Sequence, residues 1–417
     1  MNHRLLDLIR AIDHAVDSDD HRRALQLILH NWFHLPDPAP LRERTALVLA
    51  SRGRRREAVE IYRLVARHYA NSGFPCRSLA AIKQMLALNP SSTQLLDHFT
   101  TLYSVRSPFL DRNLPPATLP QPASQLSLKS SDSTDFDTLV QWATERATDR
   151  DTIADRPGSL PAVPLLSLLP PRPLRRLLDH LQFEIFADAQ PLFDDERPPH
   201  LYWTVSPDFR LRRDDSTSLI AAASLLGIDH FLGLRPASEI TLSSSPGSQC
   251  LQLSTQAFDT LTEEFADFPN RVATLHRHAL TRRLLHDHPL FAPLDDSGRR
   301  QLSNRLTGLR IERGTPLLRR GKVCPGLYLI LDGTVRLSNG PDDAPNLPAT
   351  LEPGDSLGET GLADPRPALF DATADDDLHL LFLSQSAFTD LASDHPDIDQ
   401  RARALAERRR HQLAPPS

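Results

Sequence analysis

Leu351 to Ala374 reads LEPGDSLGETGLADPRPALFDATA. A tight Gly-Asp turn, a Gly-Glu pair, a short apolar segment and an arginine follow one another faster than an ordinary strand-and-turn sequence would place them. The grouping predicts an anion site. Gly358 has no Cβ and lets the backbone approach a ligand, and the short run after it can open a helix whose free N–H groups favour a phosphate. Arg366 can fork onto two phosphate oxygens, while Glu359 accepts hydrogen bonds from sugar hydroxyls. Together they suit a cyclic phosphodiester.

The surrounding sequence repeats itself. PLLSLLPPRPLRRLLDHLQFEIF (164–186) parallels PLFAPLDDSGRRQLSNRLTGLRI (289–311), LYWTVSPDFRL (201–211) parallels LYLILDGTVRL (327–337), and STQAFDTL (254–261) parallels SQSAFTDL (384–391). In each copy a short helix enters, alternating β-branched stretches supply about eight strands, and a helix follows. That order predicts a small antiparallel jelly-roll barrel flanked by helices, twice. The helix from 269 to 289, with Val272, Leu275, Ala279, Leu280 and Leu284 on one face, is expected to join the two barrels.

With PLFAPLDDSGRRQLSNRL (289–306) and GLYLILDGTVRLS (326–338), the 351–374 cassette resembles the cyclic-nucleotide-binding domain of the catabolite-activator and protein-kinase-regulatory-subunit family. The resemblance implies a ligand of the cyclic AMP or cyclic GMP class, with Gly358, Glu359, Thr360, Arg366 and Ala368 as the binding set and Gly333 and Gly354 as turn glycines. It also implies that the helix after the second barrel, 396–413, caps the ligand or makes a homodimer contact. Two departures weaken the expected affinity. The interval from Glu359 to Arg366 is about two residues shorter than in the family, which at about 1.5 Å per helical residue moves the arginine roughly 3 Å. Pro367 lacks the N–H that the family offers the phosphate, a loss of roughly 1.5–3 kcal/mol. In the first copy Gly227, Arg235, Pro236 and Ala237 align with Gly358, Arg366, Pro367 and Ala368, but Ile228 replaces Glu359. One nucleotide per chain, in the second barrel, is the expectation.

Residues 1–110 show helical periodicity, with Leu5, Leu8, Ile9 and Ile12, then Ala24, Leu25 and Ile28, broken by prolines and by Asn71-Ser72-Gly73. A stack of antiparallel helices is predicted. Val59 to Pro90 spaces Tyr62, Val65, Ala66, Tyr69, Ser78, Ile82 and Met85 in a way that resembles one tetratricopeptide unit of about 34 residues, which implies a protein-binding surface. From 111 to 160 proline, serine and aspartate dominate, and a flexible linker with a short helical piece near 136–146 is expected. The division is thus a helical domain to 110, the linker, a degenerate barrel over 161–268, a connecting helix over 269–288 and a second barrel over 289–413. The fold class is multidomain α+β.

The chain has 417 residues, a formal net charge of −6 and 3 cysteines. Cys76, Cys250 and Cys324 are far apart, against a disulfide framework or thiol metal site. The acidic balance and the missing helix-turn-helix argue against duplex nucleic acid as a partner. No apolar run reaches the roughly 18 residues of a membrane helix, so a cytoplasmic location is expected, and the arginine-over-lysine skew with 36 prolines suits a GC-rich bacterial genome. His286, Asp287 and His288 point different ways on a helix and read as a solvated helix end. Asp375 to Asp377 reads as a hairpin turn. No catalytic triad, P-loop or carboxylate pair has a supporting context, so no enzyme and no cofactor are expected. The sequence supports a regulatory sensor first, an interaction scaffold with ligand-free barrels second, and a regulatory subunit of a separate enzyme third.

Overall fold

The computed structural model describes residues 3–122, 126–128, 134–193, 200–213, 216–231, 240–338, 350–362 and 367–413. The chain divides into two compact units, one running to Ala273 and one from Thr274 on.

The first unit opens with six helices: α1 (His3–Asp17), α2 (His21–Asn31), α3 (Ala39–Ser51), α4 (Arg55–Asn71), α5 (Pro75–Leu88) and α6 (Gln94–Tyr103). Their ends follow from local chemistry. Asp20 accepts from the Arg23 amide and starts α2, since an N-cap carboxylate satisfies a donor the helix leaves open. Gly53 and Gly73 take φ of 77° and 82° after α3 and α4, the left-handed turn that glycine adopts without a Cβ penalty. Ser78 Oγ donates to the Ala66 carbonyl and Tyr62 Oη to Gln84, pairings that set α4 and α5 antiparallel. Leu8, Ile12, Leu25, Ile28, Ile61, Val65 and Leu79 form the buried seam.

The stretch expected to be a flexible linker differs from that reading. Helix α7 (Phe136–Thr148) is capped by Asp135 and buries Leu139, Val140, Ala143 and Ala147 against α2, α3 and α4. Beyond it Asn71 Nδ2 donates to the Ala154 carbonyl at 2.7 Å and the Ala154 amide to His68 Nδ1 at 3.1 Å. Strand β1 (Leu110–Asp111) pairs in parallel with β2 (Leu160–Pro161). Four apolar residues on one helical face supply the burial that the flanking composition lacks, and the two bonds at Ala154 tie the chain after the helix to the stack.

Helix α8 (Pro171–His180) leads into a sandwich of β3 (Gln182–Ile185), β4 (His200–Thr204), β5 (Arg210–Arg213), β6 (Ser216–Leu219), β7 (Leu225–Leu226), β8 (Ile240–Ser243) and β9 (Gln249–Ser254), with the short helix α9 (Ile228–Phe231) after β7. One sheet has the order β3-β9-β4-β7 and the other β6-β5-β8. The helical stack and this sandwich are one unit. Helix α6 packs on α8 and α5 on β3 and β9, and Lys83 Nζ donates to the Leu178 carbonyl; Trp203 Nε1 ties the sandwich to the segment before α8 by donating to the Pro164 carbonyl at 2.9 Å. The boundary expected near residue 110 therefore does not separate two domains. Helix α10 (Thr255–Glu264) follows, and α11 (Phe268–Asp287) carries the chain across Ala273.

The second unit contains α12 (Asp296–Arg305), then β10 (Thr307–Ile311), β11 (Pro316–Leu318), β12 (Gly326–Asp332), β13 (Val335–Ser338), β14 (Thr350–Leu351), β15 (Ser356–Leu357), β16 (Asp371–Ala374) and β17 (Leu378–Ser384), then α13 (Gln385–Asp394) and α14 (Pro396–Leu413). The sheets are β10-β17-β12-β15 and β11-β16-β13-β14. Replacing β3, β9, β4 and β7 by β10, β17, β12 and β15 reproduces the first sandwich's order. The register agrees as well: His200 pairs with Ser254 and Gly326 with Ser384, while Tyr202 opposes Leu226 and Tyr328 opposes Leu357. Asp375 to Asp377 connects β16 to β17, which lie in different sheets, so the turn crosses the sandwich and is not a hairpin. Leu329, Leu331, Leu383, Phe388 and Phe291 pack outside one sheet, while Tyr328, Ile330, Leu337, Ala372 and Leu380 fill the interior.

No helix among the described residues is long and apolar enough to cross a membrane.

Candidate functional site

Strand β15 pairs with β12 at Tyr328 and Leu329, and the chain then turns at Gly358 into a 3-10 turn, Glu359–Gly361. Gly358 has φ of 98°, a left-handed value that costs a side-chain-bearing residue about 1–2 kcal/mol. A Cβ there would overlap the Gly326 carbonyl oxygen and stand 2.9 Å from Cys324 Sγ. At Gly361 a Cβ would stand 2.7 Å from the Cys324 Cβ. Both glycines are thus required by close approach to one short segment, 324–326.

Cys324, absent from the sequence-derived set, is the floor of this turn. It is 1% exposed and its thiol donates to the Gly326 carbonyl at 3.1 Å. Burial pushes that thiol above its ordinary range, which keeps it protonated as the donor. Glu359 is 3% exposed, so its carboxylate faces the domain and not bulk water. Ala368 is buried, its amide donates to the Lys322 carbonyl at 2.8 Å, and its carbonyl accepts from the Gly321 amide at 2.9 Å. Pro367 bridges to Val323. Residues 320–326 therefore hold both ends of the cassette, Ala368 through backbone bonds and Gly358 through contact.

Of the predicted set, the structure brings Gly358, Glu359 and Ala368 around this segment. Thr360 lies in the 3-10 turn, and its side chain falls outside the described residues. Arg366 also lies outside the described residues, as do Arg235, Pro236 and Ala237 of the first copy.

The histidine trio read as a solvated helix end is corrected at His288, which is 7% exposed. Its Nδ1 accepts from the Leu290 amide at 3.3 Å, so Nε2 carries the proton and donates to Ser356 Oγ at 3.1 Å. Ser356 immediately precedes the Leu357-Gly358 step, so the end of α11 is bonded to the strand that presents the cassette. The apolar Pro289-Leu290-Phe291 that follows was the signal for burial. Helix α14 packs over the Glu359–Gly361 turn, with Ile398, Ala402 and Ala406 buried.

Gly227 in the first sandwich has φ of 89° and follows β7 as Gly358 follows β15. A Cβ there would meet the His200 carbonyl oxygen at 2.5 Å and the Phe193 ring at 2.9 Å. The left-handed turn is the same, but the neighbour differs: Phe193, edge-on to Tyr202 at 5.8 Å, stands against the turn where Cys324 does in the second sandwich. With Ile228 in place of the carboxylate, the turn is apolar on both sides.

The second sandwich thus presents a left-handed glycine turn followed by a buried carboxylate. Residues 309–395 match the family model of the cyclic nucleotide-binding domain, and this part of the chain is such a domain. A CRP-like cAMP-activated global transcriptional regulator of Mycobacterium tuberculosis is 28% identical over 123 residues, 29% of this chain and 55% of that protein. The chain thus spans about half the length of the curated relatives it matches. Among solved structures, the N-terminal domain of a transcriptional regulator from Streptomyces coelicolor A3(2) is similar at 31% identity over 31% of this chain and 93% of that chain, with a TM-score of 0.27. The regulatory domain of Toxoplasma gondii PKA with cAMP is similar at 18% identity over 57% of this chain and 89% of that one, TM-score 0.27.

Proposed function

We propose that the protein is a regulatory sensor whose second sandwich binds a cyclic nucleotide of the cyclic AMP or cyclic GMP class and whose helical region binds a protein partner. The observation that carries this reading is the buried Glu359 behind the left-handed Gly358, inside the residues that match the cyclic nucleotide-binding family. Glu359 takes the ribose hydroxyl and Arg366 the phosphate. The shared strand order and register of the two sandwiches support a tandem duplication in which the first copy is degenerate. The antiparallel α4–α5 pair supports a tetratricopeptide-like role for the stack. No catalytic step, cofactor or duplex DNA enters this reading, which places the protein in the bacterial cytoplasm and allows a homodimer through α14.

A scaffold without ligand is the second reading, favoured by Pro367, whose ring nitrogen offers a phosphate no N–H. Calorimetric titration with cyclic AMP and cyclic GMP separates the two. The sensor reading expects one site per chain, lost in Arg366→Ala, weakened in Glu359→Ala and unchanged in Arg235→Ala. No heat with the wild type, or a larger loss from Arg235→Ala, sinks it.

A further inference from the structure

The first unit holds a cleft of about 390 Å³ lined by α1, α3 and α5 on one side and by the end of β3 and the turns around Asp208 and Gly247 on the other. Its volume falls in the range of small-molecule sites, which favour such junctions between subdomains. Leu6, Ile9, Ile185 and Phe186 supply an apolar wall, and Ile185 is 52% exposed there.

The charges in the cleft are unequally satisfied. Arg44 donates to both oxygens of Asp13 at 3.0 Å and to Glu43 at 3.1 Å, so each of these carboxylates has a close counter-ion. Asp208 is different. It is 6% exposed, and Ser206 Oγ donates to its Oδ1 at 2.5 Å while accepting from the Gln249 amide at 2.8 Å. That relay fixes the carboxylate in place. Among the described residues its other oxygen, Oδ2, has Arg10 Nη2 as its counter-ion, at 3.6 Å and from a side chain that is 48% exposed. A buried carboxylate with a distant and half-solvated counter-ion stands to gain a short charge-assisted bond from a better-placed cation.

We propose that this cleft binds a small organic cation, a primary ammonium or guanidinium on a short apolar body, with the charged head on Asp208 Oδ2 and the body on Leu6, Ile9 and Ile185. Arg10 swings out on binding, at little cost because half of its side chain is already in water. Asp208 occupies the turn between β4 and β5 that Thr334 occupies between β12 and β13, so the site belongs to the first sandwich alone. An anion would reverse the roles, with Arg10 attracting it and Asp208 repelling it.

Calorimetry on the full chain with hexylamine, 1-hexanol and hexanoate tests the assignment, and it is independent of any nucleotide bound in the second unit. Hexylamine is expected to bind at least tenfold more tightly than hexanol, Asp208→Asn to lower its affinity at least tenfold, and Arg10→Ala to raise it at least threefold. Absence of heat with hexylamine up to millimolar concentration overturns the proposal, as does equal affinity for hexanol or tighter binding of hexanoate. Tighter binding of a lysine-containing hexapeptide than of hexylamine also overturns it, in favour of a protein ligand.

Discussion

A Cβ placed on Gly358 would occupy the space of the Gly326 carbonyl oxygen. The two glycines bring the cassette turn and the start of β12 closer than side chains allow, and the contact is to rigid backbone. Gly358→Ala is therefore expected to destabilise the second unit by about 2 kcal/mol or more, from a left-handed residue and a forced strand displacement. Urea unfolding followed by circular dichroism reads the loss. A change under about 0.5 kcal/mol, the scale of an ordinary surface substitution, would show that the turn relaxes freely.

The three thiols give a pH dependence with a definite sign. Burial pushes Cys76 up to about 12 from an ordinary 9.0 and also raises Cys250 and Cys324. A folded-state value above the unfolded one means that the unfolded chain releases its proton first. Stability is fully present below pH 9 and declines as pH rises through the folded values, by up to about 1.4 kcal/mol per pH unit for each thiol. Denaturant midpoints measured from pH 7.5 to 10.5 should fall, and Ellman's reagent should find three thiols in urea and almost none in the native protein. Rapid native reaction of any one thiol would contradict its burial.

Arg44 is held above the ordinary arginine value by Asp13 and Glu43 although burial works against its charge. Its side chain is 6% exposed, as is that of Glu43. Arg44→Met is expected to cost about 3–5 kcal/mol because Glu43 is then buried without its counter-ion. The Arg44→Met, Glu43→Gln double variant should recover a substantial part of that loss. Without recovery, the damage comes from packing and not from charge.

Limited proteolysis checks the corrected linker. Cleavage between residues 111 and 135 should leave the helical stack and the first sandwich together on gel filtration. They are joined by α7, by the β1–β2 pair and by Lys83. Separation of a helical fragment from a β-rich one would show that 111–160 is a flexible linker.

Much of this architecture was legible because three stretches around the second sandwich had counterparts of similar pattern around the first, in the same order, and one sheet of each sandwich keeps that order. The close-approach glycine at 358 was legible too, since a residue without a Cβ ahead of a short turn lets the backbone come near whatever lies against it. Cys324 was not, because its role is to be touched by Gly358 and Gly361, far along the chain from it, and no local pattern marks that. Helix α7 was under-read for another reason: Leu139, Val140, Ala143 and Ala147 have helical spacing, but averaging over 111–160 submerged them in proline and serine. His288 was misread when its own helix was considered without the apolar Pro289-Leu290-Phe291 that buries it.

The chain's three tryptophans, Trp32, Trp142 and Trp203, all fall before Ala273, whereas the second unit holds no indole and a single tyrosine, Tyr328. The two halves are therefore optically distinct. Excitation at the red edge of the indole band reports melting of the first unit alone, and Trp203, bonded to the Pro164 carbonyl, reports the moment its sandwich parts from the segment that leads into α8. Tyr328 opposes Leu357, the residue before Gly358, so the lone phenol of the second unit is an intrinsic label one strand away from the cassette.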